Sequence, residues 1–174
     1  MNPTNRRQFL KRSAAAAAGA SILAAPGVVR PGANDRIRVG LVGCGGRGRF
    51  HINSLNELAD ANVELAALCD CDERRLQASA KDHEERSGKK AKLYTDMRAL
   101  LDDDSIDAVS YATPNHWHSL GVIWACQAGK DVYVEKPGSH NIHEGRKMID
   151  AARKYDRIVQ HGTQCRTSPN IREG

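Results

Sequence analysis

The chain has 174 residues, which is enough for one domain with a buried core and too few for two large domains. Its net charge of +5 would suit a nucleic-acid-binding protein, but the first 30 residues carry five basic residues and no acidic one. Removing those five from the 26 lysines and arginines leaves 21 bases against 21 acids in the rest of the chain. A neutral body argues against an extended basic surface for nucleic acid, so no such partner is expected.

The first 33 residues have the order of an export signal. A basic start is followed by an alanine-rich run without charge from Ser13 to Val29, which is weaker and shorter than a membrane-spanning segment usually needs. Arg6 and Arg7, within RRQFLK, resemble the bacterial twin-arginine motif. We therefore expect residues 1–33 to be a twin-arginine signal and linker, the protein to be periplasmic or exported, and no membrane association after signal removal. An amphipathic helix or a basic tail is the alternative interpretation.

From Arg36 onward, strand and helix patterns alternate. The predicted elements are a strand 36–43, a helix from Gly46 to about Ala59, a strand 63–70, a helix 72–88 with Gly88 as C-cap, a weak strand 92–95, a short helix capped by Asp96, a strand 107–113, a helix 116–129, a strand 131–135, a helix 142–155 and a last strand 157–162. Strands separated by helices predict a doubly wound parallel sheet, a Rossmann-like α/β fold with helices on both faces.

A glycine-rich turn follows the first predicted strand. Residues 43–48 have the spacing G-x-G-x-x-G, in which the glycines permit the turn, the approach of a pyrophosphate and close packing of the helix whose N–H groups face the phosphates. Asp70, at the end of the second strand, would accept hydrogen bonds from the adenosine ribose and disfavour a 2′-phosphate, so NAD is expected over NADP. The nearby Arg74 and Arg75 are interpreted as solvated helix residues. An ordinary tight turn with a strand-end aspartate is the alternative.

Polar residues also follow two later strands. The fourth strand runs into Thr113–Asn115, where Asn115 is expected to cap the next helix, and the fifth runs into Glu135 and Lys136. Ligands of open α/β sheets bind beyond the carboxyl ends of the strands, so these residues and Asp70 are expected to line one crevice. Lys136 could hold the nicotinamide or a substrate hydroxyl and help to move a proton. A surface Lys–Glu pair is the alternative.

The histidines and cysteines form no recognisable metal or disulfide pattern. His116 and His118 are two residues apart, so a helix would direct them to different faces, while His140 and His143 lack a third ligand. No metal site is therefore predicted. The five cysteines, an odd number without zinc-like spacing, are interpreted as small buried residues.

Taken together, these motifs resemble the Gfo/Idh/MocA family, named for glucose–fructose oxidoreductase and inositol dehydrogenase. The resemblance rests on GCGGRGR, the Cys69-Asp70 pair, ATPNHWH, GKDVYVEKP and EGRKMIDAARKYDRIVQHGTQ, and it runs from about Arg36 to the end of the chain. It implies an N-terminal Rossmann domain that binds NAD or, less favourably, NADP, and a second α/β domain that binds a sugar or polyol. Hydride would pass between a substrate CH–OH group and the nicotinamide.

The resemblance also implies the site residues. Lys136, in the Glu-Lys-Pro motif, is the expected catalytic and substrate-binding residue. Contacts with the dinucleotide are expected from Gly43, Gly45, Gly46, Arg47, Gly48, Asp70, Thr113, Pro114, Asn115, His118, Glu135 and Lys136. Gly138 replaces the bulkier apolar residue that relatives often carry, which implies a looser loop.

The expected domains leave two functions open. Residues 34–162 are expected to form the dinucleotide-binding domain, and residues 163–174 to begin the connection to a second domain that is missing from this chain. That domain would supply most of the substrate pocket, the acid–base partner and the sheet for homo-oligomerisation. The chain is therefore expected to be the cofactor domain of an NAD(P)-dependent sugar or polyol dehydrogenase, or else a stand-alone or truncated dinucleotide-binding module without turnover.

Overall fold

The computed structural model describes residues 36–163, 166 and 171, so the predicted export signal lies outside the described residues. Strands and helices alternate within the described part. The strands are β1 (Ile37–Val42), β2 (Val63–Cys69), β3 (Lys92–Tyr94), β4 (Ala108–Tyr111), β5 (Asp131–Val134) and β6 (Val159–His161). The α-helices are α1 (Gly46–Glu57), α2 (Glu73–Ser87), α3 (Met97–Leu101), α4 (His118–Gln127) and α5 (Ile142–Lys154), with 3₁₀ turns at Ala59–Ala61 and Asn115–Trp117.

The strands form one parallel sheet in the order β3-β2-β1-β4-β5-β6. Central β1 pairs on one side with β2, where Val42 lies opposite Cys69, and on the other with β4, where Val42 lies opposite Tyr111. The chain thus runs outward from β1 to β3, returns to the far side of β1 and runs outward again to β6. This topology confirms the predicted doubly wound, Rossmann-like fold.

Apolar side chains are buried on both faces of the sheet. Leu41 packs in a cluster with Ile52 of α1 and Leu76 of α2, whereas its neighbour Val42 packs in a second cluster that includes Tyr111. Consecutive strand residues point to opposite faces, so the continuous apolar run of β1 fills both layers. The two layers of helices hold the carboxyl edge of the sheet in place.

Two helix ends follow the local sequence as predicted. The Asp96 side chain accepts a hydrogen bond from the backbone at the start of α3, and Gly88 closes α2 in the left-handed conformation with φ of 68°. Both residues fix where the helices of the β2–β4 connection begin and end.

The predicted capping role of Asn115 is wrong. Asn115 begins a 3₁₀ turn, and α4 starts three residues later at His118 without a side-chain cap. The Trp117 N–H donates to the Pro114 carbonyl oxygen at 3.0 Å, which is the i→i+3 hydrogen bond of a 3₁₀ turn. This turn separates Asn115 from the start of α4.

The interpretation of the cysteines as buried is wrong for Cys71. Cys44, Cys69 and Cys126 are buried, but β2 ends at Cys69 and leaves Cys71 exposed in the loop beyond the sheet. Cys165 lies outside the described residues. Within residues 36–163 no helix has the length and apolar character needed to cross a bilayer, and no group of three His, Cys, Asp or Glu side chains is placed to hold a metal ion.

Candidate functional site

The carboxyl edge of the sheet gathers most of the predicted site residues. Because all strands are parallel, Asp70 after β2, the turn 43–48 after β1, Thr113–Asn115 after β4 and Glu135 after β5 lie along one edge in that order. The strands that follow β1 are added first on one side of it, as β2 and β3, and then on the other side, beginning with β4. In open α/β sheets this switch point is where ligands bind.

The glycine turn is fixed by backbone contacts. Gly43 has φ of +97°, and a Cβ there would lie 2.8 Å from the Ala112 backbone. A Cβ on Gly48 would lie 1.9 Å from the Gly43 carbonyl oxygen. Both positions therefore require glycine, and their close approach directs the start of α1 at the crevice.

The N-terminus of α1 is open to an anion. Its N-cap is Gly45, which has no side chain to accept a hydrogen bond, and the first turn contains no acidic residue. A Cβ on Gly46 would meet no atom within 4 Å. The positive end of the α1 dipole therefore has neither a side-chain cap nor an acidic residue of its first turn beside it, an arrangement that suits a pyrophosphate.

Asp70 ties the end of β2 to the glycine turn. One carboxylate oxygen accepts from the Cys44 N–H at 2.8 Å, and the other accepts from the Asp72 N–H at 2.9 Å. Each oxygen keeps a lone pair for a further donor, such as a ribose hydroxyl. Asp70 is half-buried at the wall of the crevice.

A cleft of about 600 Å³ runs beside these residues, within the size range of ligand pockets. It is lined by Gly43, Gly45, Asp70, Cys71, Arg75, Thr95, Asp96, Met97, Arg98, Ala112, Thr113, Pro114, Trp117 and Trp124. Sequence reasoning missed the two tryptophans and the α3 residues, because their approach depends on the strand order. Arg74 and Arg75 are exposed, as predicted, with 92% and 63% of their side chains accessible. The Arg75 guanidinium nevertheless borders the glycine turn, 3.3 Å from where a Cβ on Gly45 would lie.

A buried carboxylate lies at the other end of the crevice. Glu135 Oε1 accepts from Arg47 Nε at 2.7 Å and from His51 Nε2 at 2.9 Å, and Oε2 accepts from the Lys136 N–H at 3.2 Å. Burial by itself raises the pKa of Glu135, but hydrogen bonds from His51 and Arg47 outweigh it and hold the pKa below its usual value. Sequence reasoning missed His51. The four-residue spacing of Arg47 and His51, which places both on one face of α1, was the available signal.

Lys136 and His118 differ in exposure. Lys136 is exposed, and no hydrogen bond or ion pair engages its ammonium group within the described part of the chain. His118 is buried, with Nδ1 2.6 Å from the Pro137 carbonyl oxygen and Nε2 2.9 Å from that of Thr113. The structure thus places His118 between the loops after β4 and β5, with its ring nitrogens directed at backbone. The Thr113 hydroxyl is buried without a hydrogen-bond partner among the described residues.

The sequence and the fold both match one known family. The sequence profile of the Gfo/Idh/MocA oxidoreductases, described as an oxidoreductase family with an NAD-binding Rossmann fold, matches residues 37–163. The chain belongs to this family. The family resemblance stated from the motifs is therefore confirmed.

Two solved dehydrogenases resemble the Gfo/Idh/MocA domain described above. WlbA dehydrogenase from Bordetella pertussis, solved in complex with NADH and UDP-GlcNAcA, has a TM-score of 0.72 and 30% identity, covering 79% of this chain and 40% of that chain. The myo-inositol 2-dehydrogenase from Lactobacillus plantarum has a TM-score of 0.70 and 26% identity, covering 79% and 39%.

A curated relative of this Gfo/Idh/MocA chain carries a different name. A glycosyl hydrolase family 109 protein of Shewanella baltica is 29% identical over 197 residues, covering all of this chain and 41% of that protein. The chain therefore spans about 40% of the length of the relatives that it matches.

The residues at the carboxyl edge fit the NAD of the Gfo/Idh/MocA domain. The uncapped start of α1 suits the pyrophosphate, the open space beside Gly46 leaves room near it, and the lone pairs of Asp70 suit ribose hydroxyls. The prediction of NAD as the cofactor is confirmed by the family.

Proposed function

We propose that the chain is the cofactor-binding part of an NAD-dependent oxidoreductase that acts on a CH–OH group of a sugar or polyol. The observation that carries the proposal is the placement of the glycine turn, Asp70 and Lys136 along one carboxyl edge. The similarity to WlbA dehydrogenase and to myo-inositol 2-dehydrogenase supports the substrate class. Substrate contacts and homo-oligomerisation are assigned to a second domain.

Different residues along the crevice are assigned to different parts of the dinucleotide. The turn 43–48 holds the pyrophosphate, Asp70 holds the adenosine ribose and favours NAD over NADP, and Thr113–Asn115 form the wall between the two halves. Glu135, Lys136 and the segments around Arg47 and His118 define the nicotinamide end. Bound NAD supplies the hydride acceptor.

Lys136 is the catalytic residue in this proposal. Its exposed ammonium group lies at the end of β5 and is free of ion pairs within residues 36–163, so it can donate a hydrogen bond to a substrate hydroxyl. A lysine in that position can also help to move the hydroxyl proton as the hydride leaves the carbon. The interpretation of Lys136 as part of a surface Lys–Glu pair is disfavoured, because Glu135 is buried and bonded to α1.

The similarity to a glycosyl hydrolase family 109 protein favours a second candidate function. Some glycosidases use NAD, so the same crevice could serve glycoside cleavage. In such a reaction a hydride passes from a carbon of the sugar to NAD and returns to the sugar before release. A nitrophenyl glycoside distinguishes the two functions. A dehydrogenase accumulates NADH from a free sugar, whereas the glycosidase releases nitrophenol without net NADH.

Residues 1–33, which lie outside the described residues, are proposed to direct twin-arginine export to the periplasm. The basic start with Arg6 and Arg7, the uncharged run after it and the neutral charge of the remaining chain support this assignment. No nucleic acid partner is proposed, and no membrane contact after signal removal.

Calorimetry with NAD and NADP tests the cofactor assignment on the 174-residue chain. We expect binding of NAD in preference to NADP, and weaker NAD binding after Lys136→Ala. Lys147→Ala, at an exposed lysine of α5, is the matched control and should bind like wild type. A chain that binds neither dinucleotide would contradict the proposed function.

A further inference from the structure

The carboxylate of Glu135 is the most deeply buried charge at the nicotinamide end of the crevice. The residue is 3% exposed, and its side chain ends among three donors: Arg47 Nε, His51 Nε2 and the Lys136 N–H. A buried carboxylate needs such partners to remain ionised. The arrangement of the donors therefore determines where Glu135 and the adjoining Lys136 are held.

His51 is the buried donor of the side-chain pair. Its side chain is 10% exposed, whereas that of Arg47 is 41% exposed and open to solvent screening. The imidazole also packs edge-on against the ring of Tyr133, with centroids 5.5 Å apart and an angle of 74° between the rings. The contact of His51 with Glu135 is thus the more buried and the less screened of the two.

Ser110 fixes the direction of this contact. His51 Nδ1 lies 2.8 Å from Ser110 Oγ, while Nε2 lies 2.9 Å from Glu135 Oε1. A carboxylate only accepts, so Nε2 carries a proton, and in the neutral imidazole Nδ1 then accepts from the serine hydroxyl. Ser110, His51 and Glu135 then form a chain of hydrogen bonds with one direction, which runs from β4 through α1 to the end of β5.

We propose that His51 is a positioning residue that, oriented by Ser110, holds the Glu135 carboxylate and thereby fixes Lys136 at the mouth of the NAD crevice. The position of Glu135 affects that of Lys136 directly, because Oε2 accepts from the Lys136 N–H and the two residues are adjacent. The assignment of a role to Lys136 rests on the proposed function. The contact between His51 and Glu135 does not.

The charged surroundings of Glu135 determine how a His51 variant should titrate. Arg47 and His51 face it from α1, and β4 contributes the neutral hydroxyl of Ser110. Tyr133 lies on β5 two residues before Glu135, and Lys136 directly follows it. The adjacent strand β6 contributes His161, whose ring lies against Gly138.

Burial favours the neutral form of Glu135, and the hydrogen bonds of His51 and Arg47 oppose it. Removal of the His51 donor should therefore let burial raise the pKa of the Glu135 carboxyl. His51→Gln keeps an N–H near the position of Nε2, so it should restore most of the wild-type behaviour.

Carbon-13 NMR of the glutamate carboxyl groups tests the contact directly on the 174-residue chain. In wild type, we expect Glu135 to titrate below the ordinary value of 4.5. In His51→Leu it should titrate at least one pH unit higher, and in His51→Gln close to wild type. His83→Leu is the matched control, because His83 is a second buried histidine bonded to Asn56 away from the crevice. A wild-type titration in His51→Leu would overturn the proposal.

Calorimetric NAD titrations from pH 5 to 8 test the consequence for the crevice. A carboxyl that titrates near pH 5 is about half protonated there, so His51→Leu should lose about twofold or more in NAD affinity between pH 8 and pH 5 relative to wild type, and His51→Gln and His83→Leu should not. If wild type binds no NAD, the proposed function fails while the NMR result still decides the His51–Glu135 contact.

If His51→Leu does not fold, Ser110→Ala replaces it. This variant should raise the pH at which Glu135 titrates by a smaller amount, and an unchanged titration there would overturn the proposal.

Discussion

At the scale of single residues, Asp70 connects the fold with cofactor recognition. Its two carboxylate oxygens accept from the backbone of Cys44 and Asp72, so it holds the glycine turn against the end of β2. Asp70 also lines the cleft that suits the adenosine ribose. A change at Asp70 therefore affects the shape of the turn and the contacts with the ribose together.

Replacement of Asp70 by alanine should weaken NAD binding by about tenfold or more, because a hydrogen bond to a charged group is worth about 1.5–3 kcal/mol. It should also narrow the difference in affinity between NAD and NADP, because the carboxylate that repels a 2′-phosphate is gone. Calorimetry with both dinucleotides measures the two effects. Asp60→Ala, in the 3₁₀ turn after α1, is the control, and equal NAD affinity of Asp70→Ala and wild type would contradict the assignment.

Alanine at Gly48 should lower the thermal midpoint of unfolding, because its Cβ would lie 1.9 Å from the Gly43 carbonyl oxygen and neither backbone can move without opening the turn. Alanine at Gly46 should cause no such loss, because a Cβ there meets no atom within 4 Å. Circular dichroism melting of the two variants separates the close approach from the general preference of helices for alanine. Equal melting temperatures would show that the turn is looser than described.

At the scale of elements, the short edge strand β3 depends on one carboxylate. Asp103, in the loop after α3, accepts from Lys92 Nζ at 2.7 Å and from the Tyr94 hydroxyl at 2.8 Å. It also accepts from the Ser105 N–H at 2.8 Å. These hydrogen bonds, of which the one from Lys92 has the largest effect, hold the pKa of Asp103 well below its usual value. The edge strand is therefore anchored by a group that titrates in acid.

Asp103→Asn should lower the urea midpoint at pH 7, and the difference from wild type should shrink as the pH falls. A carboxyl group with a lowered folded-state pKa contributes its full stabilisation above its unfolded value of 3.8 and loses it as the pH falls toward the folded-state pKa. Urea unfolding at pH 7, 5 and 3 measures this dependence. Asp104→Asn, at the adjacent exposed residue, should match wild type throughout, and a midpoint difference that persists undiminished at pH 3 would argue against the anchor.

Local signals explain which elements the sequence predicts well. The strands and helices lie close to their predicted bounds, since apolar periodicity and capping residues such as Asp96 and Gly88 act within a few residues. The prediction that Asn115 caps the helix was wrong because a 3₁₀ turn and an α-helix begin with similar residues.

The contact between His51 and Glu135 depends on long-range geometry. The two residues are 84 positions apart, and they meet only because β1, β4 and β5 are adjacent in the sheet. Composition and periodicity do not define that order. The sequence did place Glu135 and Lys136 at the end of the fifth strand, and the i, i+4 pair of Arg47 and His51 was the pattern that could have indicated partners for Glu135.

At the scale of the whole molecule, the uneven distribution of charge supports the export proposal. Replacement of Arg6 and Arg7 together by lysine keeps the charge and should leave the precursor in the cytoplasm, because twin-arginine signals are read by a receptor. Cell fractionation followed by immunoblotting measures delivery. Replacement of Lys11 and Arg12 by arginine and lysine is the control with intact twin arginines, and unchanged delivery of the Arg6/Arg7 variant would favour a general signal or a basic tail.

We expect the 174-residue chain to bind NAD without appreciable turnover of sugars or polyols. Lys136 offers one polar group to a substrate, whereas the positioning of reactants can account for about 7–11 kcal/mol of a barrier. A screen of sugars and polyols that follows NADH absorbance measures the rate. Turnover near 10 s⁻¹, about the median of ordinary enzymes, and its loss in Lys136→Ala would show that the chain alone is a complete dehydrogenase.

The different surroundings of the thiols give the crevice a built-in chemical reporter. Burial raises the pKa of Cys44 and Cys69 to about 12 and also raises the pKa of Cys126, so at neutral pH these three remain protonated and react poorly with alkylating reagents. Cys71 is exposed and borders the cleft. Among the described cysteines, an iodoacetamide or maleimide reagent should therefore label Cys71 first. Slower labelling in the presence of NAD would then report occupancy of the adenosine half of the crevice by mass spectrometry, without any assay of enzymatic turnover.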